Sequence, residues 1–353
     1  MQNKLRVGII GAGWIASHHM RGYRRSAKAQ VVAVADPNEN AAFNFIKEND
    51  LDCKYYPDYR DLLADSAVQS VSICAPNKFH SEITIAAANA GKHMLAEKPF
   101  VTNPVEAKAS YTAILKSGVK CAVGYHRRFN PICKEIVRLR EEGKLGRLYF
   151  AQSDYIHNLP DELPIWDWIG KKEFNPSLYH AGGGHCVDTI RYLMNDEIVE
   201  CCAFVSNFNY PSCETEAETV ALYRFRNGQI GKVMALVLKP VASFNFNIEV
   251  YGTKGTMRNN RLILDTIPEY NHPTNPHNEI VYPNWMPNNN PGVTEPWDVE
   301  VCEFVDWVLG ESDGKELCKA MDAIRVAEAC WAAVISSAEH RLVQLPLVDL
   351  ASM

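Results

Sequence analysis

The sequence lacks several features that mark common classes of protein. Its eleven cysteines include no Cys-x-x-Cys pair, so neither a zinc cluster nor a disulfide framework is indicated. No apolar run approaches the length of a membrane span or a signal core, and we expect a cytoplasmic protein without a membrane partner. Because the formal net charge is −6, there is no basic excess to bind a phosphate backbone, and we expect no nucleic-acid partner.

The length and composition of the chain are typical of a globular protein with two domains. The chain has 353 residues, of which 47% are hydrophobic and 22% are charged. A single hydrophobic core rarely organises so long a chain. The predicted fold class is α/β, and the predicted domains are residues 1–123 and residues 124–353.

A glycine-rich stretch near the beginning predicts a dinucleotide-binding loop. The apolar run Leu5 to Ile10 is followed by Gly11, Gly13 and a helical pattern, which is the order strand, turn, helix. Gly11 permits the turn, Gly13 lets the backbone approach a pyrophosphate, and Ala16 lets the helix pack closely on the strand. Free N–H groups at the helix start would hold the phosphates. The cofactor-binding residues predicted here are Gly11, Gly13, Trp14 and Ile15.

An acidic residue at the end of the second predicted strand supports this interpretation. Asp36 ends the run "VVAVAD", at about the 20-residue distance from the glycines where a carboxylate accepts both ribose hydroxyls. The same charge would repel a 2′-phosphate, so the predicted cofactor is NAD rather than NADP. The alternative is that Asp36 is an ordinary turn residue before Pro37.

Strand and helix patterns then alternate through the first third of the chain. The apolar runs Ser70 to Ala75, His93 to Lys98 and Val119 to Tyr125 are separated by helical stretches. This alternation predicts a doubly wound parallel sheet with right-handed crossovers. Ligands gather at the carboxyl ends of the strands in such sheets, and here those ends are "CAPNKFH", "AEKP" and "GYHRRFNP".

Lys98, between Glu97 and Pro99, is the candidate proton-transfer group at this edge of the sheet. Desolvation and a positively charged nicotinamide nearby would lower the pKa of its ammonium group. Pro99 restricts the residues before it to an extended geometry. The alternative is a solvated loop lysine.

The second half of the chain predicts an antiparallel sheet followed by helices. Apolar-alternating runs recur, and Asn227-Gly228 carries the signal of a hairpin turn. One face of such a sheet would take helices and the other would take subunit contacts, so we expect a homo-oligomer, as a dimer, tetramer or higher form. A loop from about Pro268 to Pro296 is longer than a connection needs, which suggests a binding or oligomer role. Two amphipathic helices close the chain.

The motifs "GIIGAGWIA", "VADP", "CAPNKFH", "AEKP" and "GGGHCVDTIRYL" together resemble the Gfo/Idh/MocA family, which includes glucose-fructose oxidoreductase and inositol dehydrogenase. The likeness runs along nearly the whole chain, and Glu-Lys-Pro after a Rossmann half is its most specific element. It implies an N-terminal Rossmann domain and a C-terminal α+β domain with a large, open, mostly antiparallel sheet. It also implies hydride transfer between NAD and a secondary ring hydroxyl of a sugar, glycoside or cyclitol.

The resemblance assigns roles to individual residues. It implies that Lys98 is catalytic, and that His185 reaches the substrate hydroxyl from the start of a helix and accepts its proton. The Pro-Asn-x-x-His loop that lines the nicotinamide side in the family matches Pro76, Asn77 and His80. The further residues placed at the cofactor are Ala75, Pro76, Asn77, His80, Glu97 and Lys98.

The stretch "YHAGGGHCVD" is interpreted as a catalytic turn. Gly182 to Gly184 would let the backbone approach substrate and cofactor, and the dipole of the helix beginning there would lower the pKa of His185. Asp188 either orients that imidazole or favours the helix N-terminus. Many family members have an aspartate where this chain has Ala181. Either His180 or a residue from elsewhere takes the place of that aspartate, or the substrate differs. As a metal site these residues match no standard zinc spacing, so no metal is predicted.

Aromatic and polar residues elsewhere are candidates for substrate binding. Aromatic rings stack on the C–H faces of a sugar while polar groups meet its hydroxyls. Trp166 and Trp168 would equally fill a seam between subunits or domains, and Arg127, Arg128 and Asn130 would equally cap the helix after them. The predicted substrate-binding residues are Lys98, Arg128, Tyr155, His157, Trp166, His180 and His185.

Three functions fit this pattern, and the first is the one predicted. It is an NAD-dependent dehydrogenase acting on CH–OH groups. The second is a redox-neutral enzyme that retains its NAD, such as a glycosidase or an epimerase, which the change at Ala181 motivates. The third is a non-catalytic NAD-binding regulator, which would need neither Lys98 nor His185.

Overall fold

The structure is a computed structural model that describes residues 4–159, 166, 168–211, 213–238, 245–264, 279–282 and 295–350. The strands in these residues are β1 (Leu5–Ile10), β2 (Ala29–Ala35), β3 (Lys54–Tyr56), β4 (Ser70–Ile73), β5 (His93–Ala96), β6 (Cys121–Val123), β7 (Leu148–Asn158), β8 (Ile198–Ser206), β9 (Glu218–Phe225), β10 (Ile230–Leu238), β11 (Asn245–Gly252), β12 (Gly255–Arg258), β13 (Arg261–Leu264), β14 (Glu279–Val281), β15 (Cys318–Lys319) and β16 (Val343–Gln344). The helices are α1 (Trp14–Ser26), α2 (Glu39–Glu48), α3 (Tyr59–Ala64), α4 (His80–Asn89), α5 (Pro104–Ser117), α6 (Pro131–Glu141), α7 (Gly184–Met194), α8 (Pro296–Leu309) and α9 (Ala320–Glu339).

Contacts between residues divide the chain into two compact units. The first comprises Met1–Phe129, Thr294–Arg325 and Val348–Met353, and the second comprises Asn130–Val293 and Val326–Leu347. The C-terminal part of the chain thus contributes to both units, whereas the sequence analysis set one boundary after residue 123.

The first unit contains a seven-stranded sheet in the order β15-β6-β5-β4-β1-β2-β3. Strands β1 to β6 pair in parallel, which confirms the predicted doubly wound arrangement. β15 adds an antiparallel edge strand beside β6. The sequence analysis missed β3 and β15, because three and two residues are too few to show a strand period.

Polar caps and prolines fix where the helices of this unit begin. Asn103 accepts a hydrogen bond from the Glu106 N–H at 3.0 Å, and Pro104 occupies the first helical position of α5. Asn38 caps α2 in the same way. Such caps satisfy N–H groups that have no partner inside a helix, so they set the residues at which these helices begin.

Helix α8 packs on α1 in the first unit. A Cβ atom at Gly22 would lie 2.5 Å from the Val301 Cβ, so the two helices touch where Gly22 has no side chain. Arg21 donates to Asp298 at 2.6 Å beside this contact. Helix α8, although late in the chain, therefore packs with α1 at the start of the Rossmann unit.

The second unit contains a nine-stranded sheet in the order β14-β13-β12-β11-β7-β10-β9-β8-β16. Among the described strand pairs of this second sheet, only β7–β10 is parallel, which confirms the mostly antiparallel sheet. β9 and β10 form the predicted hairpin. Gly228 has a φ of +83° in its turn, a conformation that glycine adopts without a steric cost.

The predicted loop from Pro268 to Pro296 is partly wrong. Glu279–Val281 forms β14, which pairs with β13 at the edge of the second sheet. A strand of three residues carries too little pattern to be recognised from sequence. Apart from Tyr282, Glu295 and the start of α8, the rest of that predicted loop lies outside the described residues.

The two faces of the second sheet differ in exposure. Alternate residues on one face, such as Tyr223 and Ala235, are buried, and α7 packs against this face through β7 and β10. On the other face Phe204, Val220 and Leu222 are 76%, 38% and 49% exposed. The register pairs Phe204 with Val220, so these residues form a continuous exposed apolar surface.

Within the described ranges, none of the helices combines the length and the apolar content needed to cross a membrane.

Candidate active site

The loop after β1 is built around two glycines with different surroundings. Gly11 has a φ of +93°, and a Cβ atom there would lie 2.7 Å from the carbonyl carbon of Cys74 and 2.8 Å from the Ala75 N. Gly13 precedes α1, and a Cβ atom there would meet nothing within 4 Å. The first glycine is therefore required by the turn, while the second leaves open space at the helix start.

Asp36 holds the same loop by its carboxylate. Its two oxygens accept the N–H groups of Ala12 and Asn38, each at 2.8 Å. The bond to Asn38 is the turn role that the sequence analysis gave as the alternative. Because a carboxylate has about four acceptor positions, the half-buried Asp36 keeps capacity for further donors at the end of β2.

The segment after β4 forms a short 3-10 turn, Asn77–Phe79, with Pro76 before it. Asn77 and His80 are buried, whereas Pro76 is exposed and Ala75 is half-buried. The two ring nitrogens of His80 lie 2.7 Å from the carbonyl oxygens of Pro99 and Ala75. His80 thus links the loops that follow β4 and β5.

Lys98 follows β5 at the same edge of the sheet and is half-buried. Burial lowers the pKa of its ammonium group; the Glu97 carboxylate opposes this effect and Arg127 adds to it. The backbone N–H of Lys98 donates to Glu97 Oε2 at 3.2 Å. The lowered pKa matches the expectation for a group that exchanges a proton.

Arg128 and Asn130 have separate structural partners. Arg128 is 4% exposed and donates to the Leu317 carbonyl oxygen at 3.1 Å. The Asn130 side chain accepts from the Ile132 N–H at 2.9 Å and caps α6. Of the two interpretations for these residues, helix capping therefore describes Asn130, while the substrate role of Arg128 stays a prediction.

In the second unit the structure brings together Tyr155, His157 and His185. Tyr155 and His157 lie near the end of β7, and the Tyr155 hydroxyl is 3.2 Å from His157 Nδ1. The Tyr155 ring stacks on the ring of His185 with centroids 6.3 Å apart. His185 is 4% exposed, and it belongs to α7 on the buried side of the sheet.

The expected helix start at His185 is wrong. Tyr179–Gly183 form one turn of π-helix that runs directly into α7, so His185 lies inside a continuous helical segment and not in its first turn. His185 therefore lacks the position at a helix N-terminus from which a lowered pKa was expected. Sequence patterns could not show this, because glycine runs more often end helices than continue them.

The glycines of this stretch serve close packing. A Cβ atom at Gly182 would lie 2.6 Å from the Tyr155 ring, and one at Gly183 would lie 2.3 Å from the Tyr179 ring and 3.1 Å from the Ala235 Cβ. The absent side chains let the π-turn lie directly against β7 and β10. Gly182 and Gly183 thus lie against side chains of the protein, whereas the interpretation as a catalytic turn had placed them next to substrate and cofactor.

His180 and Ala181 lie in different surroundings from His185. The His180 ring is fully buried and lies 5.7 Å from the ring of Trp331, and burial lowers its pKa to about 3. Neither ring nitrogen has a hydrogen-bond partner among the described residues. Ala181 packs with Leu178 and Val237 in an apolar cluster. The position of the family aspartate is thus apolar here.

Trp166 packs inside the second unit. Its ring lies 4.8 Å from the ring of Tyr210, and it borders the apolar cluster around Leu159 and Leu178. Trp168 borders the same cluster. The contacts described for these tryptophans are therefore those of core packing, and the substrate role of Trp166 stays a prediction.

Comparison with family models identifies the chain. Residues 5–125 match the model of the Gfo/Idh/MocA oxidoreductase family, described as an NAD-binding Rossmann fold. Residues 133–258 match the model of the C-terminal domain of the same family. The chain belongs to the Gfo/Idh/MocA family. The resemblance seen in the sequence motifs is thereby confirmed, and a Gfo/Idh/MocA oxidoreductase uses the first unit to bind NAD.

Curated relatives of this Gfo/Idh/MocA chain include dehydrogenases of sugars and cyclitols. The levoglucosan dehydrogenase of Pseudarthrobacter phenanthrenivorans is 25% identical, over 99% of this chain and 100% of its own. The myo-inositol 2-dehydrogenase of Thermotoga maritima is 27% identical, over 75% of this chain and 76% of its own. A solved structure of levoglucosan dehydrogenase in complex with NADH is 24% identical and has a TM-score of 0.83, over 98% of this chain and 100% of that one.

The first unit fits the cofactor of the Gfo/Idh/MocA family. The open space at Gly13 lies at the start of α1, where free N–H groups favour phosphate oxygens. Asp36 at the end of β2 presents acceptors for ribose hydroxyls. The residues that would hold the dinucleotide in this arrangement are Gly11, Gly13, Trp14, Ile15, Asp36, Ala75, Pro76 and Asn77.

The sequence analysis missed a row of rings beside the phosphate loop. Trp14 is 73% exposed and lies 4.4 Å from the ring of His18. His18 lies 4.7 Å from Trp297 of α8, which stacks on His126 at 3.9 Å. The row runs from the start of α1 to the residues after β6. Its only sequence signal is the i to i+4 spacing of Trp14 and His18.

Replacing Gly13 by Ala is expected to weaken NAD binding roughly tenfold or more without loss of stability. The added methyl group meets no protein atom, but it would occupy the space next to the pyrophosphate. Calorimetric titration with NAD and thermal melting measure the two effects. Gly11→Ala is the matched comparison, since its methyl group collides with the backbone at Cys74 and should lower the melting temperature. Unchanged NAD affinity in Gly13→Ala would contradict the assignment.

Proposed function

We propose that the chain is an NAD-dependent dehydrogenase of a secondary ring hydroxyl in a sugar, glycoside or cyclitol. The observation that carries the proposal is Lys98, a half-buried lysine with a lowered pKa at the edge where the Rossmann sheet holds its cofactor loop. The names of the relatives, which include levoglucosan and myo-inositol dehydrogenases, supply the substrate class.

Lys98 and His185 are proposed to handle the hydroxyl proton. A neutral amine at Lys98 accepts a proton from an alcohol, and its ammonium form returns one to a carbonyl oxygen. His185 is buried and its ring stacks on Tyr155, so its orientation is fixed by packing. When bound, NAD supplies the nicotinamide ring that accepts the hydride.

Tyr155 and His157 are proposed to bind substrate hydroxyls together with His185. The short distance between the Tyr155 hydroxyl and His157 Nδ1 fixes the direction of both polar groups. A ring-shaped substrate with several hydroxyls suits such a set of neighbouring donors and acceptors. His180, Trp166 and Arg128 remain proposed contacts of the same substrate.

NAD rather than NADP is the proposed cofactor form. The Asp36 carboxylate accepts two backbone N–H groups and lies at the end of β2. A 2′-phosphate at this position would meet a like charge.

A screen of ring polyols tests the proposed function. Inositols, free hexoses, anhydrosugars and glycosides are incubated with the protein and NAD, and the absorbance of NADH is followed. We expect turnover with at least one member of these groups and little with open-chain polyols. Tight NAD binding without turnover of any ring polyol would favour the regulator instead.

We also propose that the chain forms a homo-oligomer through the exposed face of the second sheet. Apolar residues on this face, such as Leu222, alternate with the paired charges Glu200 and Arg224, which lie 2.9 Å apart. A surface with both apolar and oppositely charged groups can pair with a second copy of itself. The cytoplasmic location expected from the sequence stays a proposal.

Leu222→Glu is expected to reduce the oligomer to monomers, because it places a charge on the proposed interface. Sedimentation analysis measures the mass. Leu115→Glu is the matched control, since Leu115 is similarly exposed at 50% but lies on α5 of the first unit. A monomeric unmodified protein, or an unchanged mass in Leu222→Glu, would rule out this interface.

A further inference from the structure

A buried chain of hydrogen bonds joins the phosphate-binding helix to the loop of Lys98. His19 of α1 is fully buried, with Nε2 3.1 Å from Glu97 Oε1 and Nδ1 2.9 Å from the Ser72 hydroxyl. The Tyr23 hydroxyl lies 2.7 Å from the same Ser72 oxygen. Three segments of the first unit, α1, β4 and the end of β5, thus meet at one set of polar side chains.

Glu97 is the member of this chain that touches Lys98. One carboxylate oxygen is next to His19, and the other accepts the backbone N–H of Lys98. Glu97 is 5% exposed, and a Cβ atom at Gly124 would lie 2.7 Å from its Oε1. The carboxylate is therefore held on several sides, which fixes the backbone from which the lysine projects.

The charged forms of His19 and Glu97 stabilise each other. Burial alone would lower the pKa of His19, but Cys74 and Glu97 raise it well above its usual value. Burial alone would raise the pKa of Glu97, but His19, Lys98 and His80 lower it. The pair is therefore an ion pair at neutral pH, and a buried ion pair of this kind is costly unless its hydrogen bonds are satisfied.

Resting on the proposed function of Lys98, we infer that the His19–Glu97 ion pair is the positioning element of the catalytic lysine. Glu97 holds the backbone of Lys98, and His19 balances the negative charge that Glu97 places next to the ammonium group. Without His19, an unbalanced carboxylate would hold Lys98 in its protonated form. The ion pair also ties the lysine to α1, the helix at whose start the phosphates would lie.

The charged and titratable groups around this arrangement come from several elements of the first unit. Lys98 faces Glu97, Arg127 and His80. Glu97 faces His19, His18, Lys98 and His80. His19 faces Cys74 and Glu97, and lies beside His18 on its own helix. Glu300 of α8 acts on Tyr23 at the far end of the network.

The test measures the protonation of Lys98 without substrate. The protein is acetylated briefly with acetic anhydride at a series of pH values, and mass spectrometry gives the labelled fraction of Lys98. The exposed Lys108 of α5 serves as the internal reference. In His19→Gln we expect the midpoint of Lys98 labelling to rise by roughly 0.5 to 1 pH unit, because a positive charge has been removed.

Tyr23→Phe is the matched control, since it removes a hydroxyl from the same network without changing a charge. Its midpoint should equal that of the unmodified protein. Glu97→Gln is the second variant, and its midpoint should fall because the carboxylate that stabilises the ammonium is gone. Thermal melting of each variant shows that it is folded.

An unchanged or lowered midpoint in His19→Gln, or an unchanged or raised midpoint in Glu97→Gln, overturns the inference. These outcomes are separate from the fate of the proposed function. Labelling needs no turnover, so a protein inactive on every ring polyol can still show both shifts, and an active dehydrogenase can still show neither.

Discussion

Replacing Lys98 by Met is expected to lower turnover by roughly 10²- to 10⁴-fold, the usual contribution of a proton-transfer group. The methionine side chain is similar in length and can neither donate nor accept the hydroxyl proton. NAD affinity should change little, because the loop at Gly11 and Gly13 and the carboxylate of Asp36 are untouched. Steady-state rates with a substrate found by the polyol screen, together with calorimetric NAD titration, measure both quantities.

Lys108→Met is the control for Lys98→Met. Lys108 is an exposed residue of α5, and its replacement removes the same positive charge from the same unit without touching the sheet edge. The rate should stay within about twofold of the unmodified protein. Turnover retained in Lys98→Met would remove the lysine from the mechanism and leave His185 as the candidate base.

His180→Phe is expected to reduce the loss of stability that acid causes. Burial lowers the pKa of His180 to about 3, so the unfolded chain binds a proton there at a higher pH than the folded protein does. The stability that comes from keeping this ring neutral is full above its unfolded pKa and is lost as the pH falls toward the folded one. Between about pH 7.5 and about pH 5 the loss amounts to about 2 kcal/mol.

Urea unfolding at both pH values measures this contribution. The carboxylates titrate in the unmodified protein and in His180→Phe alike. The difference between the stability losses of the two proteins therefore isolates the contribution of His180. Phenylalanine keeps an aromatic ring beside Trp331, and the variant should lose about 2 kcal/mol less than the unmodified protein on acidification. Equal losses would mean that His180 is hydrated or protonated in the folded state.

The Rossmann half could be predicted because its signals are local. Leu5–Ile10, Gly11 and Gly13 lie within one short stretch, and the strand runs before Lys98 are almost continuously apolar. Parallel strands buried on both faces give such runs. The signal of the hairpin at Gly228 is local as well, since two adjacent residues determine the turn type.

The π-helical turn Tyr179–Gly183 before His185 could not be predicted, because the decisive contacts are distant in sequence. Gly182 is explained by Tyr155 and Gly183 by Ala235, and neither partner is visible from the glycine run itself. Tertiary packing here outweighs the low helix propensity of three glycines. The expectation of a catalytic turn came from the permissive backbone of glycine and from the family resemblance.

The network around Glu97 was missed for the same reason. His19 and Glu97 are 78 residues apart, and a histidine within an amphipathic helix carries no sign of its partner. Motif analysis selected Lys98 from the Glu-Lys-Pro triplet but gave Glu97 only a cofactor role. The structure adds His19 and Ser72 as the groups behind it.

The central claim is that a hydride passes from the substrate to NAD and that the resulting NADH is released. Isotope transfer measures this most directly. A ring polyol active in the screen is labelled with deuterium at the carbon of the oxidised hydroxyl and incubated with the protein and NAD. We expect one deuterated NADH in solution for each ring carbonyl formed. Consumption of the polyol without free NADH, with the label retained in a rearranged or cleaved sugar, would contradict this account and identify an enzyme that keeps its NAD.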